Sequence, residues 1–205
     1  MNLVIGGANS VRRSEGSLEV HRKTLIQSGK EASRLIESIR RSGAVSIEAW
    51  IRPSNTTLDG PARIITLSEN SSNRNFTLGQ DGNKYDLRLR TSKTSRNGMP
   101  SLASPANGVT TKLTQLAYSR ERGGKARFYL NGKQVAEKTV AGDLKNWDGN
   151  YRLALGNEFS NDRAWQGNYH LLAIYGRALS PQELKKNFES GSEGGVADMV
   201  AARKR

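Results

Sequence analysis

Residues 44–53 read AVSIEAWIRP, and their alternation decides the fold class. Val45, Ile47, Ala49 and Ile51 fall on one face of an extended chain, Glu48, Trp50 and Arg52 on the other, and Pro53 ends the run. A helix would scatter those aliphatics around its circumference, whereas a strand lines them up. Period-two or extended segments recur at ARIITLS (62–68), NFTLGQ (75–80), YDLRLRT (85–91), KLTQLAYSR (112–120), ARFYLN (126–131), KQVAEKTV (133–140), YRLALGN (151–157) and WQGNYHLLAIY (165–175). The first 30 residues add short extended pieces, LVIGG and LEVHRKTLI. Asn131-Gly132 is a two-residue hairpin signal, because both central positions of such a turn want positive φ.

Two helices interrupt this pattern. In KEASRLIESIRRSG, Ala32, Leu35, Ile36 and Ile39 recur at helical spacing and Gly43 stands where a C-cap glycine belongs, so a helix is predicted over 30–41. Ser180-Pro181-Gln182-Glu183 reads as a capping box with proline at the first helical position, opening a helix to about Phe188. Residues 92–111 form a Ser/Thr/Asn/Gly/Pro loop, long enough to suggest function or mobility. Strands, short helices and frequent turns predict an all-β fold, a two-sheet antiparallel sandwich over residues 1–190, followed by a flexible basic tail over 191–205.

With 205 residues, one substantial core is the default. The formal net charge of +13 favours a polyanionic partner such as acidic polysaccharide. Nucleic acid is not excluded by charge, but no helix-turn-helix, RNP or zinc-finger pattern supports it. The chain has no cysteine, which rules out disulfides, zinc-thiolate sites and a cysteine nucleophile. No run approaches the length of a membrane span, and MNLVIGGANSVRRSEG is too short and too polar for a signal peptide.

Four segments in this order, SIEAWIRP, QLAYSRERGGKARFYLNGKQV, LALGN and WQGNYHLLAIYGRALSPQEL, resemble the laminin-G-like branch of the concanavalin A-like lectin/glucanase superfamily. The resemblance covers roughly residues 1–190. It implies a jelly roll of one concave and one convex sheet, a carbohydrate or protein ligand, calcium in many members, glucan hydrolysis in some, and an extracellular or periplasmic location.

The residues speak against hydrolysis. Glucanase chemistry needs paired carboxylates on one strand face, as in E-x-D-x-E, and no such triplet occurs. His21 and His170 are the only histidines, and neither lies in a nucleophile-like turn. His170 shares period two with Gln166 and Asn168, which predicts a polar strand face, with Trp165, Tyr169, Leu171 and Ala173 toward the core. The reading is a binding module without catalytic residues.

For that module the candidate ligand residues are Arg88, Arg90, Lys93 and Arg96, whose guanidinium forks suit sulfate and carboxylate, and Trp147 with Asn146 and Asp148, as an aromatic platform with polar neighbours. The resemblance implies instead that Trp147 supports its loop. A second basic group is Arg120, Arg122, Lys125 and Arg127 around Gly123-Gly124. Trp50 and Trp165 read as strand residues packed in the core or between the sheets. Calcium is the one cofactor to consider, with Asp81, Asp162 and Glu158 as its candidates, although no Asp-x-Asp-x-Asp run occurs. Within GNEFSNDRA (156–164), Glu158, Asp162 and Arg163 are otherwise expected to brace the loop. The sequons at Asn55, Asn70 and Asn75 matter only in a glycosylating pathway. The alternative reading is a structural subunit that self-associates through exposed strand edges.

Overall fold

The computed structural model describes residues 2–201, and side chains as far as residue 191. Arg203, Lys204 and Arg205, the basic end of the expected tail, lie outside the described residues. The strands in chain order are β1 (Leu3–Ile5), β2 (Val11–Ser14), β3 (Ser17–Val20), β4 (Ile26–Ser28), β5 (Val45–Pro53), β6 (Ala62–Ser68) and β7 (Arg74–Asp81). They continue with β8 (Lys84–Leu89), β9 (Leu102–Ala103), β10 (Thr114–Arg120), β11 (Lys125–Leu130), β12 (Lys133–Thr139), β13 (Arg152–Leu155) and β14 (Gly167–Tyr175). Helix α1 (Ser33–Ser42) precedes β5, and α2 (Pro181–Ala201) follows β14, with a break in helical geometry at Gly191.

The strands form two seven-stranded sheets. The first has the order β1-β4-β13-β6-β7-β8-β9, the second β12-β11-β10-β5-β14-β3-β2. Neighbours pair antiparallel throughout, which makes the molecule the jelly-roll sandwich expected of the sequence. Between the sheets lie Val45, Ile47, Ala49 and Ile51 of β5, Ile65 and Leu67 of β6, Phe76 and Leu78 of β7, and Leu87 and Leu89 of β8. The β11–β12 turn has Asn131 and Gly132 at positive φ, as the hairpin signal requires. Helix α1 buries Ile36 and Ile39 and ends on Gly43 in the left-handed region. β2 and β9 are strands that the period-two pattern did not mark.

The outward face of β5 is not solvated. Glu48 and Trp50 are buried beneath α2, where Trp50 stacks on Phe188 at 5.8 Å and 7°. The Glu48 carboxylate accepts from Gln115 Nε2 and Asn187 Nδ2, each at 2.7 Å. Ala117, Tyr129, Leu179 and Leu184 complete a second apolar cluster there, with Tyr175 against it. The capping box holds the start of α2: Ser180 N–H donates to Glu183 Oε2 at 2.8 Å, and Glu183 N–H to Ser180 Oγ at 3.2 Å. Trp50 therefore packs under a helix rather than between sheets.

Strand β14 departs from the expected alternation at His170, an extra residue between Tyr169, opposite Ile51, and Leu171, opposite Trp50. A bulge of one residue exchanges the faces beyond it. Leu172 and Ile174, not Leu171 and Ala173, consequently pack against the main core. Trp165 precedes the strand; it is fully buried and lies 4.8 Å from the Tyr169 ring. No helix among the described residues is long and apolar enough to cross a membrane.

Candidate functional site

The outer face of the first sheet is polar yet closed. Since Leu153 and Leu155 of β13 point into the core, Arg152 and Ala154 point outward, level with Ser68 and Thr66 of β6. Thr66 lies opposite Thr77 of β7, which lies opposite Arg88 of β8. A chain of hydrogen bonds crosses this face. Arg63 Nε donates to Glu158 Oε2 at 2.8 Å, and Ser68 Oγ to Glu158 Oε1 at 2.6 Å. Thr66 Oγ1 donates to Ser68 Oγ at 3.0 Å and lies 2.6 Å from Thr77 Oγ1, which accepts from Arg74 Nη1 at 3.1 Å. Burial pushes the pKa of both guanidinium groups down, opposed at Arg63 by its bond to Glu158 and reinforced at Arg74 by the nearby Arg63 charge.

At one end of this face the β6–β7 turn, the loop after β8 and the loop before β13 meet around a groove. Asn75, at the start of β7, ties the loop before β13 to the sheet: its Nδ2 donates to Asp148 O at 2.9 Å and its Oδ1 accepts from Asp148 N–H at 2.8 Å. Trp147 Nε1 donates to Arg90 O at 2.7 Å, and Asn146 Nδ2 to Thr91 O at 2.9 Å. Arg40 from α1 also donates to the carbonyl of Trp147. In the turn, Asn70 Oδ1 accepts from Ser72 N–H and Asn73 N–H, both at 2.9 Å.

These ties create two adjoining depressions of about 300 and 270 Å³, near the lower size of small-ligand sites. Glu69, Asp148 and Tyr151 line both. One continues along Ser68, Asn150, Arg152 and Phe159, the other along Asn73, Arg90 and Arg96. The Arg152 guanidinium stands over the Phe159 ring at 4.8 Å, giving the first depression a flat wall. Burial, then the neighbouring Asp148, raises the pKa of the Tyr151 hydroxyl, so it stands in the lining as a neutral donor and acceptor.

Of the candidate ligand residues, Arg90, Arg96 and Asp148 come together here. Trp147 cannot be a platform: its indole is wholly buried, 6.0 Å from the Phe76 ring. Asn146 is likewise part of the scaffold. Arg88 lies on the sheet face away from the groove lining, held by Asp86 at 3.0 Å and Asn97 at 3.3 Å. Lys93 is exposed on the loop and outside the lining. Glu69, Asn73, Asn150, Tyr151, Arg152 and Phe159 were not picked out from sequence. The Asx-type turn at Asn70 was the available hint for the first two.

Of the second basic group Arg122 is exposed, Lys125 pairs with Glu137 at 3.4 Å, and the other two are engaged within the protein. Arg120 is buried, donating to the carbonyls of Val140, Gly43 and Gly142, and Arg127 pairs with Glu121 at 2.6 Å and Glu137 at 3.0 Å. The calcium candidates stay apart. Both Glu158 oxygens are engaged inside the protein, Asp162 pairs with Arg163 at 3.3 Å, and Asp81 is exposed at the β7–β8 turn. Among the described residues no three His, Cys, Asp or Glu side chains converge on a metal position. The loop brace expected of Glu158 runs to Arg63 rather than to Arg163. Asn157 does the local work, its Oδ1 accepting from Glu158 N–H and Arg163 N–H, both at 2.9 Å.

Solved structures share this architecture. A botulinum neurotoxin serotype D/C binding domain superposes with a TM-score of 0.67 at 15% identity, over 92% of this chain and 47% of that one. A structure of botulinum neurotoxin type C, whose cell entry is dependent upon interaction with two ganglioside molecules, gives 0.65 at 15% identity, over 92% and 46%. Domain 4 of AbnA, an extracellular arabinanase of Geobacillus stearothermophilus, in complex with arabinotriose, gives 0.65 at 20% identity, over 90% and 86%. The chain thus spans under half the length of the toxin structures and most of the arabinanase domain. These likenesses concern the fold, and the neighbours are receptor- or carbohydrate-binding domains. No curated protein matches by sequence. The sequence model of the concanavalin A-like lectin/glucanases superfamily matches residues 28–185. Sheets, helix caps and sequence match agree: the chain belongs to the concanavalin A-like lectin/glucanases superfamily.

Proposed function

We propose that the chain is a non-catalytic module that binds carbohydrate in the groove between the β6–β7 turn and the loops flanking β8 and β13. The observation that carries this reading is the groove's lining, where carboxylates, amides, arginines and two aromatic rings converge. Sugars present many hydroxyls that accept and donate together, and such mixed polar groups beside an apolar wall suit them. The arabinotriose held by the arabinanase domain and the gangliosides of the toxin favour the same ligand class. Glu69 and Asp148 sit on separate loops, unlike a catalytic pair on one strand face. A role of this kind fits an extracellular or periplasmic setting.

Self-assembly through strand edges is the weaker reading. β1 and β9 are edges of three and two residues, β2 carries Arg12 and Arg13, and β12 carries Lys133 and Lys138. Short or charged edges resist strand addition. The test is a glycan array, with titration calorimetry on its best ligand using the wild type and Asn73→Ala/Asn150→Ala. The double variant is expected to bind at least tenfold more weakly with an unchanged unfolding midpoint. Absence of any saccharide binding overturns the proposal, and so does reducing-sugar release that vanishes in Glu69→Gln.

A further inference from the structure

Resting on that carbohydrate reading, we infer that the groove selects a mixed glycan, one acidic sugar beside a neutral one, and discriminates against uniformly anionic chains. The two depressions differ in chemistry. The one holding Arg90 and Arg96 offers guanidinium forks to a carboxylate or sulfate. The one holding Asn150 and Phe159 offers an amide and a flat wall to an uncharged ring, and its single guanidinium, Arg152, is laid over Phe159 and outnumbered by Glu69 and Asp148.

The boundary between them carries the selectivity. Glu69 and Asp148 belong to both linings, so any chain running through the groove passes two carboxylates. On one side Arg90 and Arg96 balance these two carboxylates, and their forks can seat a single acidic group. A second one on the adjoining sugar stands against Glu69 and Asp148, where like-charge contact opposes binding. The net charge of +13 attracts polyanions at long range, but this local pattern admits only one anionic group per site. Hydroxyls of the neutral sugar, in contrast, can donate to the same two carboxylates.

An array of neutral, alternating acidic–neutral and uniformly acidic oligosaccharides tests this directly, followed by calorimetry on the strongest ligand and its carboxyl-reduced form. Alternating chains should rank first, and carboxyl reduction should weaken binding by about tenfold or more, the loss expected for one charge-assisted contact. Arg96→Gln should erase the difference between the parent and reduced ligands, while Glu69→Gln should raise affinity for the uniformly acidic chain. Equal binding of parent and reduced forms overturns the inference and leaves the carbohydrate reading standing, as does a preference for uniform polyanions unaltered by Glu69→Gln. If no oligosaccharide binds, both fall.

Discussion

Arg63 and Glu158 form an ion pair of 2.8 Å in which both side chains are wholly buried, joining β6 to the loop after β13. Removing one partner leaves the other charge in a low-dielectric interior, so Glu158→Ala or Arg63→Ala should each cost about 3–5 kcal/mol of stability in urea unfolding. The double variant Arg63→Met/Glu158→Leu should lose much less. The guanidinium already neutralises Glu158, so calcium addition or chelation should leave the wild-type melting temperature unchanged.

Trp147 should behave as a support for the groove. Trp147→Phe keeps an aromatic ring near Phe76 but removes the donor to the Arg90 carbonyl, at a cost of about 1–3 kcal/mol. The groove loses the tie that fixes Arg90, so calorimetry should show weaker saccharide binding even though the indole touches no ligand.

The apolar contact of α2 with the second sheet should be measurable separately. Leu184 is wholly buried, and Leu184→Ala should cost about 2–5 kcal/mol. If the helix loosens, Trp50 loses its cover and its fluorescence shifts to the red, whereas the groove on the opposite sheet keeps its affinity.

His170 gives the fold one acid-sensitive point. Burial, then the nearby Arg52 charge, holds its pKa below the ordinary 6.5, so the unfolded chain takes up this proton more readily than the folded one. The stability it contributes is complete above pH 6.5 and is lost as pH falls through the interval below that value. Proton NMR should find the imidazole titrating below 6.5, and His170→Gln should flatten stability over the same interval.

Much of the fold was legible because strand period and turn chemistry are local. ARIITLS (62–68), Asn131-Gly132 and the Ser180 capping box needed no knowledge of the rest of the chain. The bulge at His170 was hidden, since one residue out of register leaves no mark on composition. The cover over Trp50 was hidden too, because it comes from a helix some 130 residues away. The groove was half visible: strand alternation suggested Arg90, the basic loop Arg96 and the neighbours of Trp147 Asp148, whereas Glu69, Tyr151 and Phe159 meet only through the pairing of β6 with β13. For Trp147 the polar loop pointed to an exposed platform and the family resemblance to a loop support, and the support is what the structure has. Contact with Phe76 buries the indole.

The clamp of Asn75 on Asp148 bears on how the protein is made. Asn75-Phe76-Thr77 is an acceptor sequence for N-linked glycosylation, yet the Asn75 side chain is buried and its Nδ2 is committed to the Asp148 carbonyl. A sugar tree attached there during secretion through a eukaryotic endoplasmic reticulum would take that nitrogen and keep the loop off the sheet. Asn75→Gln, the usual cure, would spoil the clamp as well. A host that lacks the modification is the route to folded material.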